Sequence, residues 1–307
     1  MTVRLYQSTD AGAPPVPGSV ASAAGSIIAI LDACLVNGYG SKVAAGWSKP
    51  FSGTNIAAYM QGGGSNRLFR INDTSTASYR PCDIRMFESM TTINDGVGES
   101  PATSSTSNFY AAHTTYSSMS WNVIADETAF YMSLESSNNS NQNILFFGDA
   151  NTINSADVNC TLIVSSSNSS SVTASGYGNL SDVANSIGSG NAGFYAIRPY
   201  DGSFGYVNVG KHTDSAKNNN VASMGNGSMS YPNPPDAGTY FSPIWVHEPS
   251  TVILRGTMPG AWSPCHNKSN FANASIITAT GDLVGKQLMF LKSGAGLLAI
   301  EVSDTWR

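Results

Sequence analysis

From residue 56 onward the chain is a succession of short apolar or alternating runs, each stopped by Gly, Asn, Ser, Asp or Pro. That rhythm constrains the fold more than any other feature. Runs of four to eight residues between turn-forming residues are the pattern of β-strands, and many of them in series make an antiparallel β protein. The expected strands are residues 56–60, 67–72, 83–87, 108–112, 121–125, 129–134, 144–148, 158–165, 193–198, 205–209, 240–247, 251–255, 286–292 and 296–302. In 67–72, Phe69 and Ile71 alternate with Arg70 and Asn72. Asp126-Glu127-Thr128 is a polar break that suits a hairpin, and so are Gly62-Gly63-Gly64-Ser65-Asn66 and Ser293-Gly294-Ala295. Arg255-Gly256 and Pro259-Gly260 are read as two turns around Met258.

One stretch has a helical period. Counting from Ile27, the residues Ile28, Leu31, Cys34 and Leu35 share one face, Ser22 or Ser26 can cap the start, and Asn37-Gly38 ends it. Before it, a brief strand (Val3, Leu5, Tyr6) leads into a Pro-, Ala- and Gly-rich segment. Pro14, Pro15 and Pro17 hold this segment extended. Residues 1–20 are therefore expected to be an N-terminal arm, lying across a neighbouring subunit or serving as a loop to the helix. Residues 21–307 form the β-rich domain, with a possible subdivision near 180. The fold class is mainly β: antiparallel sandwich- or barrel-like sheets with one N-terminal α-helix and long Ser/Asn-rich loops. The expected loops are 136–142, 165–175 and 217–233, polar and low in complexity.

Charge narrows the function. Only 11% of the 307 residues are Asp, Glu, Lys or Arg, where about a quarter is usual. A surface of hydroxyls and amides costs less to desolvate than a charged one, so it suits contact with other subunits. A secreted or cell-surface β protein is the rival reading of the same composition. The net charge of −5 and the lack of any Lys/Arg run exclude nucleic-acid binding as a main function. No apolar stretch reaches the roughly 18 residues a membrane span needs. The start MTVRLYQSTDAGAPPVPGS has no signal-peptide pattern, so cytoplasmic synthesis is expected. That devalues Asn-x-Ser/Thr matches such as Asn159-Cys160-Thr161 and Asn226-Gly227-Ser228.

Residues 8–14 (STDAGAP), 31–55 (LDACLVNGYGSKVAAGWSKPFSGTN), 58–74 (AYMQGGGSNRLFRINDT) and 253–269 (ILRGTMPGAWSPCHNKS), with the closing Asp304-Thr305-Trp306-Arg307, resemble a family of virion structural proteins from tailed bacteriophages. The resemblance runs in order along the chain and lapses across residues 136–235. It implies a particle component, most readily in the tail or the head–tail junction, with capsid decoration next. Its partners would be other virion proteins and copies of itself, and its location the virion, after assembly in the host cytoplasm. It carries over no catalytic residue. Trp47, Phe51, Trp245 and Trp262 are the candidate anchors, for the domain's own core first and for a subunit contact second; Pro14 and Pro15 are the candidate contacts of the arm. Ser/Asn-rich loops with Tyr and Trp also suit an adhesin that contacts host surface glycans.

No catalytic or metal-binding constellation emerges, and neither an enzyme nor a cofactor is expected. Cys34, Cys82, Cys160 and Cys265 lack metal or redox spacing and read as buried thiols. His113, His212, His247 and His266 are not spaced as metal ligands, and adjacent Cys265-His266 point apart in extended chain. Gly188-Ser189-Gly190-Asn191-Ala192-Gly193 matches G-x-G-x-x-G, but a strand follows it where a nucleotide site needs a helix. Asp32 and Asp126-Glu127 could act as acid–base groups, yet turn or capping roles fit them better. Asn72-Asp73-Thr74 and Asn94-Asp95-Gly96 are Asx turns in preference to Ca²⁺ loops.

Overall fold

The computed structural model describes residues 2–15, 17, 24–76, 81–100, 108–110, 119–136, 142–165, 193–205, 207–208, 210–212, 232, 235–248, 253–266, 268–293 and 296–306. Its strands, numbered in chain order, form three stacked antiparallel sheets and one small hairpin. The first sheet runs β2 (Ser48–Gly53), β3 (Ile56–Met60), β4 (Leu68–Asn72), β5 (Pro81–Phe87), β8 (Asn108–Tyr110). The middle sheet runs β1 (Arg4–Gln7), β9 (Met119–Ala125), β10 (Ala129–Ser136), β11 (Gln142–Asp149), β13 (Thr161–Ser165), β14 (Gly193–Ala196), β15 (Val207–Asn208). The third runs β16 (Gly210–His212), β17 (Phe241–Glu248), β18 (Ile253–Pro264), β21 (Gly296–Glu301), β20 (Gln287–Ser293), β19 (Ile276–Thr278), and β12 (Asn151–Thr152) also pairs with β18. The hairpin is β6 (Ser89–Met90) with β7 (Gly96–Val97).

The middle sheet is covered on both faces. One face (Trp121, Val123, Phe130, Met132, Leu145, Phe147, Ile163) shares a core with the first sheet and the helix. The other (Ile124, Tyr131, Ile144, Phe146, Leu162, Val164) shares a second core with Val246, Met258, Met289 and Ile300 of the third sheet. This is why 129–134, 144–147 and 162–164 are almost unbroken apolar runs: strands buried on both faces lose the alternation of half-exposed ones. A third, smaller core (Phe271, Phe290, Leu288, Ala299) lies on the outer face of the third sheet.

The helix starts as α-helix (Ser26–Leu31) and continues as a π-helix (Asp32–Asn37). Of the two expected caps, Ser22 lies outside the described residues, and Ser26 is the first helical residue behind a left-handed Gly25. The carboxylate of Asp73 accepts the Ile27 N–H instead, at 3.0 Å, so the cap comes from the end of β4. The buried stripe is Ile27, Ile30, Leu31, Cys34 and Leu35. Ile28 is only partly buried, because the helix sits deeper on the i+3 side. Gly38 closes it at φ 76° as expected, with no room for a Cβ, which would lie 2.5 Å from the Lys42 carbonyl oxygen.

The predicted turns around Met258 are absent. Residues 253–264 form one twelve-residue strand, β18. Gly256 is there because Asn151 of β12 crosses so closely that a Cβ would stand 2.2 Å from its carbonyl oxygen. Register shifts between β17 and β18 absorb the irregularity. The segment around Pro50, which is absent from the expected strands, is β2, an edge strand whose pairing with β3 slips between Ser48 and Phe51. Lys and Pro on an edge discourage further strand addition. The 158–165 strand starts only at Thr161. The expected loops lie outside the described residues apart from Ser136, Gln142 and Ser165, which close or open strands, and Pro232. The G-x-G-x-x-G segment up to Ala192 and the possible boundary near 180 lie outside them too. Strands from both sides of 180 nevertheless join one middle sheet.

Candidate functional site: an apolar face over a buried ion pair

Two of the carboxylates singled out in the sequence, Asp126 and Asp32, are spent on structure. Asp126 Oδ1 accepts from Thr128 N, Thr128 Oγ1 and Ala129 N at 2.7–2.9 Å, which shapes the β9–β10 hairpin. Asp32 accepts from Lys49 Nζ at 2.6 Å and from the Tyr59 hydroxyl at 2.8 Å, on either side of the first sheet's edge. Burial and the Asp32 carboxylate hold the Tyr59 hydroxyl well above the usual phenol range. Asn72 makes the expected Asx turn to Thr74 N, and Thr92 with Asp95 closes the next loop. His266 Nε2 accepts the Tyr240 N–H at 3.0 Å, which leaves its proton on Nδ1. None of the four cysteines is in a disulfide and all are buried, and burial pushes the Cys160 thiol up to about 12. Among the described residues no group of three or more His, Cys, Asp or Glu side chains could hold a metal ion.

One hydroxyl–carboxylate cluster was not foreseen. Ser65 Oγ lies 2.6 Å from Asp149 Oδ1 and 2.9 Å from Thr161 Oγ1, and Ser65 N donates to Asp149 Oδ2 at 2.8 Å. Gly64 stands so close that a Cβ would meet Asp149 Oδ2 at 2.3 Å. Among the described residues no histidine bonds to Ser65, and these contacts pin the β3–β4 turn to the middle sheet.

The aromatic anchors separate into two groups. Trp47 is core: its Nε1 donates to the Asp126 carbonyl at 2.7 Å, and its ring stands edge-on to Phe130 and Phe147. Phe51, Trp245 and Trp262 are half-buried, on β2, β17 and β18. Trp262 packs against the third core, and its buried indole N–H has no hydrogen-bond partner among the described residues. Pro14 is half-buried and Pro15 exposed, and the Pro14 carbonyl accepts from Trp121 Nε1 at 3.3 Å. The described part of the arm thus lies against its own domain.

The feature with the clearest functional geometry was missed at the sequence level. Arg255, centred in what read as a turn, is fully buried and grips Asp157 with two hydrogen bonds of 2.9 and 2.7 Å. Its remaining nitrogen donates to the Arg198 carbonyl at 2.7 Å and lies 3.7 Å from Glu248 Oε2. Glu248 Oε2 in turn accepts the Tyr200 N–H at 3.0 Å. One guanidinium therefore holds two loops, 153–159 and 198–204, to β18. The loops are also tied to each other, because Asn154 Nδ2 donates to the Tyr200 hydroxyl at 2.9 Å. Arg198 is clamped by Glu88 and lies 5.7 Å over the Phe204 ring. That pairing holds the Glu88 carboxyl below its ordinary range.

These same segments carry five exposed large apolar or aromatic side chains: Ile153 (61% exposed), Val158 (66%), Tyr200 (36%), Phe204 (77%) and Leu254 (46%). No protein-family model matches the chain, and no curated protein matches it. The sequence signal was faint. Phe204 sits between Ser203 and Gly205 just ahead of the expected 205–209 strand, and Val158 looked like a strand start.

The arrangement suits binding better than chemistry. Its central charges, Arg255, Asp157 and Glu248, are paired and buried, and five of the side chains it exposes are apolar or aromatic. Loops that would otherwise be mobile are fixed by a buried bidentate pair, so less ordering entropy opposes a contact.

Proposed function

We propose that this chain is a non-enzymatic structural subunit of a tailed-bacteriophage particle, placed in the tail or the head–tail junction. It packs there against copies of itself and neighbouring subunits. The observation that carries the reading is the set of five exposed side chains on β18 and on the loops that Arg255 and Asp157 hold to it. A single exposed apolar residue is ordinary, whereas several on one rigid base mark a contact surface. The scarcity of charge on the chain agrees, since few ions must be desolvated when it is covered.

The test is cryo-electron microscopy of the purified particle, with this chain's density located on it. A symmetric ring in the neck or tail with Phe204 and Leu254 covered supports the proposal. A place on the capsid lattice replaces tail by decoration, and absence from the particle overturns it. In parallel, Phe204→Ser with Leu254→Ser should leave the fold intact and lower incorporation at least tenfold.

A further inference from the structure

After β21 the chain leaves the third sheet and turns across the molecule. Val302 N still bonds to Gln287 O, and Gln287 N donates to Ser303 Oγ at 2.8 Å. Asp304 then takes a left-handed φ of 64°, a conformation that residues other than Gly adopt at a cost. Its carbonyl accepts the Val3 N–H at 3.0 Å, and two residues on Trp306 is buried.

The Trp306 socket lies between the middle and third sheets. Tyr131 stands edge-on to the indole at 5.4 Å, and the Tyr131 hydroxyl donates to the Pro259 carbonyl at 2.8 Å, which braces the two walls. Gly260 forms the floor. It has φ 63°, and a Cβ there would fall 2.1 Å from Trp306 Cδ1. The indole Nε1 donates to the Glu301 carbonyl at 2.8 Å, and the Trp306 carbonyl accepts from Asn151 Nδ2 at 3.1 Å. Segment 303–306 belongs to no strand. One side chain and a few hydrogen bonds hold it in a site built by β10, β12, β18 and the start of the chain.

We propose that this segment is exchangeable, so that the socket of one copy receives Trp306 from a second copy and the two are joined reciprocally. The occupant follows from the socket itself, which is shaped to this segment. An exchanged pair repeats every contact of the closed form, and the difference is confined to the hinge at Ser303–Asp304. That hinge has no ladder partner, and extending it releases the left-handed Asp304. Exchange of an identical element is a low-cost route to a dimer. Five residues, 302–306, reach at most ~17 Å, so exchanging copies must meet at the rim formed by Val3 and Asn151. This contact is separate from the apolar face above and does not depend on it.

The experiment uses the full chain with Val3→Cys and Asp304→Cys made singly, mixed at high concentration, diluted and oxidised. The double variant Val3→Cys with Asp304→Cys, oxidised when dilute, must close within one chain, and this sets the linking efficiency. The proposal expects a disulfide-linked heterodimer in the mixture, lost at least tenfold when the Asp304→Cys chain also carries Trp306→Ala, and unchanged by Phe204→Ser with Leu254→Ser. A mixture that yields no linked pair while the double variant closes overturns exchange. So does a linked pair that survives Trp306→Ala.

Discussion

Asp157→Ala removes one half of the pair on which the apolar face stands, and its cost can be worked from the contacts. The guanidinium of Arg255 and the Asp157 carboxylate are both fully buried, with two hydrogen bonds between them. Breaking a buried pair by deleting one partner costs about 3–5 kcal/mol, because the remaining charge stays buried without compensation. In Asp157→Ala the guanidinium keeps the Arg198 carbonyl at 2.7 Å and Glu248 at 3.7 Å, so a loss near the low end, about 3 kcal/mol, is expected. Arg255→Ala leaves two buried carboxylates facing each other, orphans the Arg198 carbonyl and opens a cavity, which places it near the top, about 5 kcal/mol. Because each single change already breaks the pair, the double variant should cost less than the sum by about 2–3 kcal/mol, within the range for residues in direct contact. Arg255→Met with Asp157→Leu, which replaces both charges by apolar bulk, should come close to the parent. Urea unfolding followed by tryptophan fluorescence measures all four. Limited proteolysis of the 153–159 loop should accelerate in the single variants alone. A cost below about 1 kcal/mol for Asp157→Ala, or costs that add to within about 0.5 kcal/mol, would refute the reasoning.

Four further outcomes are expected. Asp126→Ala strips three buried donors of their acceptor and should lower stability by about 2–4 kcal/mol, readable in the same urea titration. Gly260→Ala drives a Cβ into the Trp306 ring and should cost about 3–5 kcal/mol, comparable to losing a buried Trp, while Gly281→Ala, with nothing within 4 Å, should cost only its backbone strain of about 1–2 kcal/mol. A thiol reagent at neutral pH should modify none of the four buried cysteines in the native protein, where burial raises the Cys34 and Cys160 thiols, and all four in guanidinium, where that burial is lost. The Glu88 carboxyl is held low chiefly by Arg198. Its contribution is therefore present above the ordinary carboxylate pKa of about 4.3 and is lost as pH falls through the depressed folded value. Arg198→Met should flatten the acid limb of the stability curve.

Strand positions were legible because they depend on local pattern: Ile56–Met60 and the hairpin at Asp126–Thr128 follow from alternation and turn chemistry alone. What the pattern could not supply was a partner distant in sequence. Gly256 looks like a turn residue until Asn151 is seen crossing it, and Gly260 until Trp306 is seen against it. The acceptor for the Ile27 N–H is Asp73, 46 residues away, whereas local sequence pointed to a nearby serine such as Ser26. Pro50 hid β2, since an edge strand tolerates the proline that a central strand would reject. The candidate face was unreadable for the same reason. Arg255, Asp157 and Arg198 are ordinary residues singly, and only the fold brings them together.

The middle layer also sets the order of events during synthesis. β1, at residues 4–7, pairs with β9, at residues 119–125, and the first sheet's inner face has no cover until β9 to β11 exist. At roughly 5–20 residues per second, residue 4 waits on the order of ten seconds for its neighbour. The third sheet cannot close over the second core until Ile300 and Trp306 arrive. A nascent chain therefore carries open apolar faces until its last strands are made, the condition in which unfinished chains are most prone to aggregate. A chain stopped before Trp306 would leave that second core open, with Tyr131 and Gly260 facing an empty socket.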